Sequence, residues 1–179
     1  MVYLRRLMWF LAGKFAVWTA ALGAIVCAFF LCMNTTNIYV VLSEGMEKRA
    51  DAILTLSDVD RLNDYFHADF LSGDPALTGA LQGSSVFSDY RISDYDYELS
   101  IDSLWAWPWD DYATCSITEL VTGIEGSVLP SRADEVPADV PAWQGGKYNI
   151  TLVRVGGKWK VIGIQQTAVI AEASTVGEE

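Results

Sequence analysis

Polarity along this chain changes in three steps. Residues Phe15 to Met33 (FAVWTAALGAIVCAFFLCM) are 19 consecutive positions without a charge. A helix rises about 1.5 Å per residue, so this run matches a bilayer core of about 30 Å and predicts a transmembrane helix over 15–33. Over 34–56 the apolar positions Ile38, Val41, Leu42, Met46, Ala50, Ile53 and Leu54 recur at spacings of three and four. That period predicts a juxtamembrane amphipathic helix continuing straight out of the apolar one. Ser57, with Asp60 three residues on, then predicts the start of a second helix, whose apolar face is Val59, Leu62, Tyr65 or Phe66, and Phe70. Asp74-Pro75 opens a third, short helix ending between Gly79 and Gly83.

Beyond Gly83 the period falls to two. Tyr95, Tyr97, Leu99, Ile101, Trp105, Trp107 and Trp109 share one parity, while Asp94, Asp96, Glu98 and Asp102 share the other, predicting a half-buried strand over 90–109. A second strand is expected over 112–124. The last two, 147–155 and 158–164, are joined by Gly156-Gly157, a two-residue hairpin turn. Residues 126–146, with Pro130, Pro137 and Pro141, are either a mobile surface loop or a concealed element, and the tail 171–179 is expected to be disordered. The fold class is therefore α+β: an N-terminal transmembrane helix, then helices packed on a curved antiparallel sheet in a domain spanning 57–170.

Charge orients this layout. All 23 acidic residues lie from Glu44 onward, and of the 12 basic ones only Arg5, Arg6 and Lys14 precede the end of the apolar run. Residues 34–179 thus carry 9 − 23 = −14. The basic flank predicts a short cytoplasmic N-terminus (1–14) in the plasma or inner membrane, with the remainder extracytoplasmic. An acidic domain repels a polyanion, which excludes nucleic acid as a partner. The run is longer than a secretory signal's apolar region and lacks a small-x-small cleavage site, so it reads as an uncleaved anchor. Cys115 is the single cysteine beyond it, so no disulfide can form within the outer part.

The segment KYNITLVRVGGKWKVIGI (147–164), at the end of a helix-helix-helix-strand order, resembles the closing hairpin of the cone-shaped α+β fold named after nuclear transport factor 2. Behind one membrane helix, such a domain is similar in layout to the bitopic assembly component of type IV secretion and conjugation systems. Enzymes of the cone fold, ketosteroid isomerase among them, set a carboxylate base against a Tyr or His in the apolar pocket. In this chain the resemblance draws attention to His67 and Glu119, with Tyr97 or Tyr148. Glu119 shares strand parity with Cys115, Ile117 and Val121, so it either points inward with a raised pKa or reaches water at the strand end. His67 either joins it or faces solvent. Neither zinc nor calcium is expected: one histidine cannot complete a zinc site, and the aspartates at 58, 60, 64 and 69 lie on a helical stretch with Leu62 and Asn63 where a calcium loop needs a ligand and a glycine.

The most unusual segment is Trp105-Ala106-Trp107-Pro108-Trp109, followed closely by Tyr112. Its indoles form either an aromatic shelf for a sugar ring or a partner protein, or the floor of the core beneath Leu62, Phe66 and Phe70. Strand parity favours the core for Trp105 and Trp107 and leaves Trp109 open, since Pro108 marks an edge or bulge. The functional expectation is a membrane-anchored interaction or assembly module of an envelope complex. It has no catalytic residues and no cofactor, and its partners are the bilayer and other envelope proteins or a second copy of itself. The alternative is a small-ligand or glycan-binding domain.

Overall fold

In the computed structural model, residues 2–57 and 59–170 are described. Asp58 and the tail 171–179, for which disorder was expected, lie outside them. One helix, α1 (Val2–Thr55), runs through the apolar stretch and the amphipathic one without a break. Its apolar part includes an 18-residue window of mean hydropathy 2.3, none of it covered by the rest of the chain. From residue 34 the same helix becomes the spine of the domain: Ile38, Leu42, Met46, Ala50, Ala52, Ile53 and Leu54 are buried. The helix stops at Leu56, which takes a left-handed φ of 59°.

The second predicted helix is broken. A 3-10 turn (Val59–Arg61) leads into α2 (Leu62–Tyr65), and α3 (Ala68–Gly73) follows after Phe66 and His67 in extended conformation. The reason is an edge strand that needs a partner. Phe66 is fully buried and forms a parallel bridge to Val161, and the His67 N–H donates to the Val161 carbonyl at 2.9 Å. These bonds replace helical ones and cover part of the sheet edge. Helix α4 (Pro75–Leu81) begins with Asp74 as N-cap and Pro75 in its first turn, as the sequence predicts.

Four antiparallel strands follow in a simple meander, β1 (Tyr90–Trp105), β2 (Tyr112–Val128), β3 (Gly145–Val155) and β4 (Lys158–Ile170), paired in that order. The molecule is thus α+β: the long helix, then small helices, then the four-stranded sheet. Gly156 and Gly157 have φ of 59° and 81°, which the tight β3–β4 turn requires. The core lies between α1 and the sheet face carrying Ala113, Cys115, Ile117, Val121, Ile150, Leu152, Trp159 and Val161. Strand β2 extends to Val128, beyond the predicted limit, because its distal half still pairs with β1 after β3 has ended. Residues 129–144 are irregular but docked: Trp143 stacks on Phe87 at 5.9 Å, and the Tyr90 hydroxyl donates to the Pro137 carbonyl at 3.0 Å.

β1 departs from strict alternation. Register shifts between Ile92 and Asp94, between Asp94 and Asp96, and between Ile101 and Ser103 mark bulges that bend the strand. After the last of them the inward parity passes to Leu104 and Ala106, and Trp105 is turned outward.

Candidate functional site

Two clusters carry the unusual side chains, one inside the domain and one on its surface. The interior cluster is built on Glu119, whose parity on β2 points it between α1 and the sheet, where it is 1% exposed. The Tyr97 hydroxyl on β1 donates to Glu119 Oε1 at 3.1 Å, while Oε2 has no hydrogen-bond partner among the described residues. Burial pushes the Glu119 carboxyl above its ordinary pKa, and the Arg49 charge and the Tyr97 hydrogen bond offset part of that rise. Burial and the Glu119 charge likewise hold the Tyr97 and Tyr148 phenols above their usual range.

Arg49 sits on the buried stripe of α1, where only a paired charge is tolerated. It grips Asp74 with two bonds, Nε to Oδ2 at 2.7 Å and Nη2 to Oδ1 at 3.1 Å. Asp74 Oδ1 also accepts from the Ala76 N–H at 3.0 Å, so one carboxylate both caps α4 and fixes Arg49. Burial pulls the Arg49 guanidinium down, but Asp74, then Glu119 and Tyr148, more than offset it. His67 is not part of this group. Its Nδ1 accepts from the Asp69 N–H at 3.3 Å and caps α3, because the chain breaks at Phe66 and carries His67 to the outer edge of β4. Of the two places the sequence left open for His67 the structure thus gives the one away from Glu119, whose neighbours are Tyr97 and the Arg49 charge. Enclosed in this way, Glu119 can exchange a proton only where the interior opens.

The surface cluster is the tryptophan segment. Trp105, Trp107 and Trp109 are 61%, 43% and 66% exposed, and Tyr112 is exposed beside them. The core placement favoured for Trp105 and Trp107 is thus overturned: β1 ends at Trp105, and the bulge after Ile101 gives the inward position to Ala106. The indoles pack on one another instead, Trp105 edge-on to Trp107 at 5.3 Å and Trp107 stacked on Trp109 at 5.2 Å. Asp110 closes the turn by accepting from the Trp107 N–H at 3.1 Å.

What fixes this loop is Asn34, the first residue past the apolar run, which is 6% exposed. Its Nδ2 donates to the carbonyls of Ala106 and Trp107 at 3.3 and 3.1 Å. Its Oδ1 accepts from Arg154 Nη2 at 2.6 Å and from the Trp159 indole at 2.8 Å, and Arg154 Nη1 reaches the Pro108 carbonyl at 3.1 Å. One side chain thus ties α1 to both the β1–β2 turn and the end of the β3–β4 hairpin. Sequence reasoning singled out neither Asn34 nor Arg49. The signal was there: each falls in register with Ile38, Leu42 and Met46, and a polar residue on an apolar stripe implies a buried partner.

No family model and no curated protein matches the chain. Among solved structures, the Kfla4162 protein from Kribbella flavida is 17% identical over 74% of this chain and 90% of its own, with a TM-score of 0.46. That likeness is too loose to assign a fold family or an activity.

Proposed function

We propose that this chain is a single-pass membrane protein with its N-terminus in the cytoplasm, whose outward domain acts as an interaction or assembly module within an envelope complex. The observation that carries this reading is the unbroken α1. Its first part displays Phe15, Trp18, Leu22, Ile25, Phe29 and Phe30 with no covering element, while its second part is the core of the domain. Apolar surface of that extent has a natural solvent in lipid. Because no linker intervenes, the domain is held at one height and one rotation relative to the bilayer, which suits a part that must present fixed surfaces to neighbours.

The −14 charge beyond the apolar run favours partners with basic patches. The exposed acids Asp94, Asp96 and Glu98 lie on the edge strand β1, where they also discourage edge-to-edge aggregation. The enclosure of Glu119 between α1 and the sheet, bonded to Tyr97, favours a structural part for the interior cluster. Helices on one face of a bulged meander, with that carboxylate turned inward, are the features behind the proposed likeness to the cone-shaped fold. The proposed likeness to secretion and conjugation components rests on layout alone.

Crosslinking the full chain in native membranes, followed by mass spectrometry, tests the assembly reading. Defined neighbours or a second copy are expected; recovery of the uncrosslinked monomer alone, at a crosslinker dose that captures a known membrane complex, counts against it.

A further inference from the structure

We propose that Trp105, Trp107 and Trp109, with Tyr112, form a second membrane contact, a lipid-interface foot that seats in the headgroup layer of the outer leaflet beside the exit of α1. The inference rests on the membrane reading above and adds a site to it. The 19 uncharged residues 15–33 span about 28 Å at about 1.5 Å each, close to the thickness of the hydrocarbon core, so Asn34 stands where the hydrocarbon ends. The shelf is fixed at that same level, since Asn34 donates to the carbonyls of Ala106 and Trp107. The crevice lined by Phe30, Met33, Pro108, Gly157 and Trp159 shows that both sheet turns reach down beside the last turns of the apolar run.

At this depth an indole is at its most favourable, with its ring against glycerol and upper acyl carbons and its N–H toward headgroup oxygens. The bulge after Ile101 is what turns Trp105 out of the core to that layer, and the aromatic stacking keeps the three rings together. Asp110 and Asp111 in the same turn work against attraction to anionic headgroups, while Arg154 and Lys158 at the neighbouring hairpin work for it. The foot therefore binds through its rings more than through charge. Together with α1 it gives the domain two points of support and so resists tilting.

The test uses the full chain with Cys27→Ser and Cys32→Ser, reconstituted in phosphatidylcholine/phosphatidylglycerol vesicles, with an environment-sensitive nitrobenzoxadiazole label on Trp109→Cys. A second variant carries the label on Tyr112→Cys, which keeps all three indoles, and a control carries it on Ser131→Cys in the loop at the far end of the sheet. Labels at 109 and 112 are expected to emit to the blue of the label at 131. They should be quenched several-fold more by lipids bearing a nitroxide near the headgroup, and high salt should leave the difference intact. Equal emission and equal quenching at all three positions, in protein that stays with the vesicles through carbonate washing, overturns the foot while leaving the anchor standing. A shift at 109 and 112 that appears only on adding wall glycan fragments or a partner protein overturns it too. Release by carbonate removes the membrane reading and the foot together.

Discussion

Asn34 carries more of the molecule's geometry than any other single polar side chain described above, because its four bonds join the spine helix to two strand turns. Asn34→Ala leaves the Trp159 indole and two carbonyls short of partners in a buried place, so a loss of about 3 kcal/mol is expected from chemical denaturation. Glu119 makes the opposite kind of prediction. Its folded pKa lies above its ordinary 4.5, so the stabilisation linked to its proton is complete below that value and fades as pH rises through the folded pKa. Glu119→Gln cannot ionise and still accepts from Tyr97. It should melt higher than the native protein at pH 8, with the gain shrinking as pH falls toward 4.5; a gain independent of pH would contradict a buried, raised carboxyl. Alternation alone left Glu119 two places, inward or in water at the strand end, and the packing of α1 on the sheet decides for the first. Tyr97 was already a candidate neighbour from the sequence, but the Arg49 charge was not, because Arg49 is far away in sequence and is brought near only when α1 packs on the sheet.

At the scale of elements, long periodic stretches were readable and their interruptions were not. The stripe Ile38, Leu42, Met46, Ala50 and Ile53 and the glycine hairpin at 156–157 follow from spacing and turn chemistry. The break at Phe66 and the bulge after Ile101 do not, since each answers to a partner elsewhere: an edge strand in one case, the register of β2 in the other. That single bulge decides whether the tryptophans are core or surface. Two substitutions probe the joints. Gly45 lies where α2 crosses α1, and a Cβ there would meet Tyr65 Cβ at 2.9 Å, so Gly45→Val should cost roughly 1 to 3 kcal/mol by forcing the helices apart. Leu56 holds a left-handed conformation that costs a branched side chain about 1 kcal/mol or more; Leu56→Gly should recover about 1 kcal/mol, read as a higher denaturation midpoint.

For the whole molecule, the consequence of a continuous α1 is that the uncovered apolar stretch and the domain core share one unbroken helix. Composition was enough to place the apolar segment, and the basic flank supplies the orientation proposed for it. What they left hidden is that the aromatic loop sits beside the end of the apolar run, a relation made by the Asn34 bonds across more than 70 residues of sequence. The native thiols make orientation directly measurable. Cys27 and Cys32 lie in the apolar run, and burial pushes the Cys115 thiol up to about 12, so none of the three should react with a polar maleimide at neutral pH. A membrane-impermeant maleimide applied to intact cells should therefore label Ser131→Cys at once and Tyr3→Cys only after the cells are opened. Labelling of Tyr3→Cys in intact cells with Ser131→Cys protected, or of both only in lysates, would contradict an anchored domain facing outward.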